Sequence, residues 1–303
     1  MMNGRSSRTA EYMAFFRALE SVRDTDKRLF HDPFAANFLR PNLRKAVSYS
    51  KNPLFRAGLN WYVDKRMPGA RTSAIARTRL IDDRLREVLA TGIKQVVILG
   101  AGFDCRSIRL PDLRRATVFE VDHLDTLRVK RNCLTQIAPF VSLSVQYIGI
   151  DFNRESVSEA LGKAGFDRSR ITVFLWEGVT NYLTEEAVDS VLRVIADCQS
   201  GSQIIFTFVH SGVLDGSVKF HGSDRLIRDV AGVGEPWTFG INPRDLSTFL
   251  SRRGFRLDED LPADDYRPLY YGASARNIKG YGFYHVAVAE LVASQAPVVI
   301  EQR

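Results

Sequence analysis

The chain has 303 residues, is 45% hydrophobic and 25% charged, and carries a formal net charge of +7, values that exclude a disordered or fibrous protein and give ample material for a core. No apolar run approaches the ~18 residues that cross a bilayer, and the N-terminal segment lacks an apolar signal core. The three cysteines, Cys105, Cys133 and Cys198, have no CxxC spacing, so a reduced, cytoplasmic protein is expected rather than a disulfide scaffold.

The first predicted element is a helix over 9–24, with Tyr12, Phe15, Phe16 and Leu19 at helical spacing. Asp32-Pro33 is expected to open a second helix that Pro41 closes. Residues 42–70 read as helical pieces broken at Pro53 and Pro68, and 72–90 as a strong amphipathic helix ended by Gly92. Five strands follow, at 96–99, 117–121, 145–150, 171–176 and 203–209, with helical segments near 123–135, 154–164 and 184–198. This alternation predicts an α/β fold, a doubly wound, mostly parallel Rossmann-like sheet. The glycine-rich stretch 211–240 breaks the rhythm and reads as a lid inserted after the fifth strand. Residues 243–254 read as a helix, and 255–257 with 281–291 as a closing antiparallel pair around a long loop at 260–280. The division expected is a helical cap over 1–90 and a cofactor-binding domain over 91–303, with 211–280 supplying lid and substrate-pocket elements.

Charge is unevenly spread. Residues 1–90 hold 18 basic and 9 acidic residues, leaving 24 basic against 26 acidic in the rest. An acidic partner or substrate would be attracted to such a surface; an Arg-rich set of solvated helix faces has the same composition. Basic and acidic residues alternate, without a dense stripe interleaved with aromatics, so no nucleic-acid partner is expected. The five histidines show no ligand spacing, and no metal is expected.

The chemistry concentrates at strand ends. Val96-Val97-Ile98-Leu99 runs into Gly100-Ala101-Gly102, where glycines allow a sharp turn and close approach of a ligand. Asp122 ends the next strand, 22 residues after Gly100, placed to accept from the ribose hydroxyls of a nucleoside cofactor. The dinucleotide fingerprint wants a third glycine where Cys105 stands, and Asp104 beside it would repel a pyrophosphate. S-adenosylmethionine (SAM) has no phosphate and carries a cationic ammonium and sulfonium. The acids Asp122, Asp151 and Glu177 at successive strand ends suit it, although such acids also cap helices.

The strings Ser7-Arg8-Thr9-Ala10, Ile75-Ala76-Arg77-Thr78-Arg79-Leu80-Ile81-Asp82, Gly100-Ala101-Gly102-Phe103-Asp104-Cys105-Arg106, Phe119-Glu120-Val121-Asp122 and Trp176-Glu177-Gly178-Val179-Thr180-Asn181-Tyr182-Leu183 together resemble the leucine carboxyl methyltransferase family. Within it they are most similar to a bacterial branch of SAM-dependent O-methyltransferases that includes polyketide carboxyl methyltransferases. The resemblance runs from about Ser7 to Leu291. It implies that Arg77 holds the methionyl carboxylate, Gly100 lies against the methionine part, Asp122 binds the ribose, Asp151 and Phe152 flank the adenine, and Glu177 faces the ammonium; Gly102 is the second cofactor-binding candidate of the turn. The family often has threonine where Cys105 stands and leucine where Phe152 stands; neither change removes a charge.

For the reaction, a carboxylate acceptor is ionised at neutral pH and needs no base, whereas an alcohol or phenol needs one. Tyr182 and His210 are the candidate catalytic residues. The expected function is methyl transfer from SAM to a carboxylate or acidic hydroxyl of a small molecule, aromatic or polyketide-like, by a monomer or homodimer without membrane association. Methylation of a peptide C-terminus and a nucleic-acid function are the alternatives left open.

Overall fold

The computed structural model describes residues 8–137, 145–152, 154–232 and 234–293. Four helices come first: α1 (Arg8–Ser21), α2 (Pro41–Tyr49), α3 (Pro53–Arg66) and α4 (Ala70–Ala90). Strands and helices then alternate through β1 (Gln95–Leu99), α5 (Arg106–Arg109), β2 (Thr117–Asp122), α6 (Leu124–Ile137), β3 (Val145–Gly149), α7 (Val157–Lys163), β4 (Val173–Trp176), α8 (Glu185–Ala196) and β5 (Gln203–Val209). The chain ends with α9 (Ser223–Gly232), α10 (Leu246–Ser251), β6 (Phe255–Pro262), α11 (Ala263–Tyr271) and β7 (Tyr284–Leu291).

The strands form one sheet of seven in the order β3-β2-β1-β4-β5-β7-β6. The first five are parallel, and β7 inserts antiparallel between β5 and β6. Alternate residues of each strand feed opposite faces, as the period of two requires. Val97 and Leu99 of β1 join the core under α7, α8 and α10; Val96 and Ile98 join the core under α4 and α11. A third core joins α1–α3 to Phe103, Cys105 and Val209 at the carboxyl end of the strands. The N-terminal helices therefore sit over that end, and α4 is also one of the helices covering the sheet.

Two predicted elements differ. Asp32 does cap a turn, accepting from the amides of Phe34 at 3.1 Å and Ala35 at 3.0 Å, but only a single 3-10 turn follows, Ala35–Phe38. Pro41 does not close that turn; it opens α2, where its missing N–H is one of the donors no helix uses. The expected loop at 260–280 contains α11, which includes Pro268. Burial outweighs the broken backbone bond: Ala263 and Tyr266 are fully enclosed against the α4 side of the sheet.

Six basic side chains of the first third pair with acids of the same third, which leaves its net excess of positive charge in place. Arg17, Arg23, Lys27, Arg40, Arg71 and Arg79 each face an acid within 3.0 Å. No described helix is long and apolar enough to cross a membrane. Among the described residues no group of three or more His, Cys, Asp or Glu is placed to hold a metal.

Candidate methyl-donor site

The glycine turn is built by backbone. After β1 the chain rises over the end of β2, and the amides of Gly100 and Ala101 both donate to the Val121 carbonyl, at 2.7 and 3.1 Å. Gly100 and Gly102 have φ of +64° and +47°, a region where other residues pay about 1–2 kcal/mol. At Gly100 space also matters: a Cβ there would lie 2.2 Å from Val179 Cγ2. Gly102 donates its amide to Asp122 Oδ2 at 2.6 Å, and His123 donates to Oδ1 at 2.6 Å. The two amides fix the carboxylate and leave lone pairs for two hydroxyls. Burial pushes the Asp122 carboxyl above the usual aspartate range despite these donors.

Two strands away, Glu177 follows β4. Arg77 reaches it from the middle of α4, with Nε donating to Oε1 at 2.8 Å. The guanidinium of Arg77 lies over the Tyr284 ring, 5.1 Å from its centroid, and is only 6% exposed. Asp122, Gly100 and Glu177 thus stand at the carboxyl ends of the neighbouring strands β2, β1 and β4, spread over about 10 Å at the usual strand spacing. This is the crevice in which open α/β sheets bind ligands.

A further residue, which the spacing argument left without a role, completes this end. Arg106, 2% exposed at the start of α5, donates to Glu177 Oε2 at 2.7 Å and to Asp82 Oδ1 at 2.7 Å, and it also pairs with Asp104. Arg109 donates to both oxygens of Asp82, and Arg17 pairs with Asp32. Arg17, Arg77, Arg106 and Arg109 are matched by Asp32, Asp82, Asp104 and Glu177. Such a buried chain is tolerable only because every charge is met. Burial pushes the Glu177 carboxyl up, but Arg106 and Arg77 outweigh it and hold the group below the usual glutamate range. Asp104, read from sequence as a repellent of pyrophosphate, is the partner and N-terminal acceptor of Arg106. A signal for this network did exist. Asp82 falls on the buried stripe of α4 with Ile75, Thr78 and Leu85, and a carboxylate on such a stripe requires a buried cation.

The remaining candidates are placed less centrally. Asp151 and Phe152 follow β3, beside the Asp122 strand end, whose carbonyl accepts from Ile150 at 2.9 Å. Asp151 approaches Arg154 at 3.8 Å, and Phe152 packs against the core under α7 and α8. Tyr182 ends the turn Thr180–Tyr182 and meets Trp237 edge to face, with centroids 6.4 Å apart. Burial raises its hydroxyl pKa, despite hydrogen bonding with Trp237 and Thr9. His210 follows β5, where Phe220 lies against its ring at 5.3 Å and Phe283 lies against Phe220 at 5.7 Å. Its Nδ1 accepts from the Gly212 amide at 3.0 Å, which assigns the ring hydrogen to Nε2. Burial, then His285, holds the imidazole below its usual pKa. A neutral ring with Nδ1 engaged offers the site a donor rather than a base.

The strand order, the glycine turn and the acids along the crevice define a class I methyltransferase fold. The sequence profile described as "Leucine carboxyl methyltransferase" matches residues 10–196. A Mycobacterium avium protein named "Putative S-adenosyl-L-methionine-dependent methyltransferase" is 31% identical, over 90% of this chain and 94% of its own. A Bacillus subtilis protein with the same description is 26% identical, over 94% of this chain and 98% of its own. The chain belongs to the leucine carboxyl methyltransferase family. Its fold is shared with the crystal structure of a Thermobifida fusca protein titled a putative methyltransferase, at a TM-score of 0.57 and 18% identity, covering 91% of this chain and 97% of that one.

Proposed function

We propose that this member of the family, a SAM-dependent methyltransferase, methylates a carboxylate of a small, apolar-bodied molecule. The observation that carries the cofactor part is the Arg77–Glu177 pair beside Asp122. The amino-acid end of SAM is a zwitterion. Inserted between Arg77 and Glu177, its carboxylate meets the guanidinium and its ammonium meets Glu177, and the charge balance of the buried network does not change. Asp122 would hold the ribose hydroxyls, the Gly100 turn would pass the methionine part, and Asp151 with Phe152 would border the adenine. Bound there, SAM supplies a methyl group on a sulfonium, with a neutral thioether as the leaving group.

This chain's own residues then have a limited task. They must hold an acceptor oxygen in line with the methyl and exclude water, which accounts for about 7–11 kcal/mol of barrier in well-aligned reactions. Neither residue proposed for proton transfer suits a base. Tyr182 holds its proton more tightly than a free phenol, and His210 presents Nε2–H. An acceptor that is already anionic at neutral pH, a carboxylate with a pKa near ~4, needs neither. Both side chains fit better as walls or donors that orient it. Trp237 and Tyr284, half-buried with ring centroids 5.6 Å apart, supply aromatic surface backed by the enclosed Phe283, which suits an apolar or aromatic body. The lid reading of 211–280 and the cover formed by α1–α3 belong to the same proposal.

The test is a panel of acceptors with labelled SAM, read by mass spectrometry and by alkaline release of methanol. Free carboxylic acids should yield alkali-labile methyl esters, and their amides none. Label carried only by phenols, amines or nucleic acid would overturn the carboxylate assignment. Transfer to peptides with a free C-terminus but to no small acid would move the acceptor to the peptide class.

A further inference from the structure

Beyond the aromatic wall, away from the glycine turn, lies a groove of about 830 Å³, between Phe220-His221, α11 and the 272–282 segment. We infer that this groove is an anion-binding subsite, and that it takes a second carboxylate or a phosphate at the far end of the acceptor. Its cationic lining carries the inference. Arg276 and Lys279 are exposed there, and among the described residues neither pairs with an acid. Arg267 is only 5% exposed, and its Nε has no hydrogen-bond partner. The other nitrogens of Arg267 are used by Asp264, at 3.1 Å, and by the Ile278 carbonyl. Asp264 is the one acid lining the groove. Three permanent cations against one carboxylate leave an excess of positive charge, and a buried guanidinium edge without a partner is the kind of donor that an anion satisfies.

The backbone is shaped around that guanidinium. A Cβ on Gly280 would lie 2.4 Å from Arg267 Nε, so a larger residue could not stay there without displacing it. Gly280 in turn packs against Gly69, at the start of α4. The Lys279 carbonyl accepts from Thr72 Oγ1 at 2.6 Å, anchoring the segment that carries the cations.

The same helix sets the distance to the methyl-donor site. Arg77 lies eight residues beyond Gly69 on α4, about 12 Å at 1.5 Å per residue. Between the two ends runs an aromatic stack, with Phe220 and Tyr284 half-buried on either side of the enclosed Phe283, 5.7 and 5.4 Å away, and Tyr284 under Arg77. The acceptor class that matches has a carboxylate at the methylated end, an apolar or aromatic middle, and a second anion at its far end. Calling the anion part of the acceptor rests on the methyl-transfer reading; the anion site itself does not.

The experiment therefore measures binding without turnover. Pyrophosphate and citrate are titrated by calorimetry into the wild-type protein and into Arg276→Glu/Lys279→Glu, both exposed positions, and SAM is titrated in parallel. We expect saturable binding of at least one anion by the wild type, weakened tenfold or more in the variant, with SAM affinity unchanged. Pyrophosphate binding alone would assign a phosphate-bearing acceptor, and citrate binding alone a polycarboxylate. Absence of binding by the wild type, or equal binding by the variant, overturns the subsite. Failure of the wild type to bind SAM would instead sink the cofactor reading and leave the anion result standing.

Discussion

The two ends of the crevice are built by different means. At the end proposed for the ribose, Gly100, Gly102 and Asp122 lie within one β–α–β unit, and backbone amides fix the Asp122 carboxylate. At the amino-acid end, Arg77 and Glu177 stand 100 residues apart and meet only because α4 packs across the sheet. The first end is local and rigid by construction. The second depends on a chain of charges running from Glu177 through Arg106 to Asp82 and Arg109. Site residues at the two ends should therefore fail differently: ribose-end changes should lose ligand, and changes along the ion chain should lose fold as well.

The largest effect should come from breaking the chain at its centre. Asp82→Ala leaves Arg106 and Arg109 buried without their shared carboxylate, and the expected loss is about 3–5 kcal/mol. Urea denaturation measures it, and a loss below about 1 kcal/mol would show that the network relaxes freely and that the contrast is false. Asp122→Ala sharpens the comparison from the other end. Removal of the ribose acceptor should weaken SAM binding beyond calorimetric detection, while stability changes far less than in Asp82→Ala. Wild-type SAM affinity in Asp122→Ala would remove the foundation of the cofactor assignment.

A smaller, purely steric effect is expected at the turn. Gly100→Ala combines positive φ with a contact 2.2 Å from Val179, whereas a Cβ at Gly102 comes no closer than 3.5 Å to Ala10. Gly100→Ala should cost about 1–3 kcal/mol more than Gly102→Ala. Adding Val179→Ala should recover the steric part of the difference but none of the dihedral strain. Equal thermal shifts for the two glycine variants would show that the Val179 contact yields without cost.

The smallest effect is on pH. The Asp122 carboxyl is raised in the fold and that of Glu177 is lowered. A raised acid protonates first as pH falls, so SAM affinity should drop at a pH above the ordinary aspartate value of 3.8, while Glu177 is still charged. The stability signs are opposite. The contribution of Glu177 is present above its unfolded value and is lost as pH falls through the folded one; for Asp122, protonation on acidification favours the native state. The affinity loss should disappear in the weakly binding Asp122→Asn protein, and an unchanged pH profile there would assign the titration to another group.

Much of this was legible before any coordinates. β5 spans the residues its apolar run predicts, and β1 to β4 agree within two. Buried parallel strands are continuous apolar runs, and their ends carry the glycines and acids. The helix-closing reading of Pro41 and the loop expected at 260–280 are the two that fail, because proline both opens and breaks helices and because burial decides short helices. Pro41 opens α2, and Pro268 lies inside α11, whose stability comes from enclosed Ala263 and Tyr266. The place of Arg106 in the ion network was not legible locally, because nothing around it in the sequence distinguishes it from the neighbouring arginines.

The sequence by itself determined the sheet, the glycine turn and the carboxylate that follows it, since each depends on contacts within one or two consecutive elements. Only the tertiary structure decided which of the arginines crowding α4 and α5 enter the closed ion network. Their roles follow from burial and from partners far along the chain: Glu177 for Arg77, and Asp82 with Glu177 for Arg106. A guanidinium on a solvated face and one within a closed ion network are the same letter, and desolvation separates them.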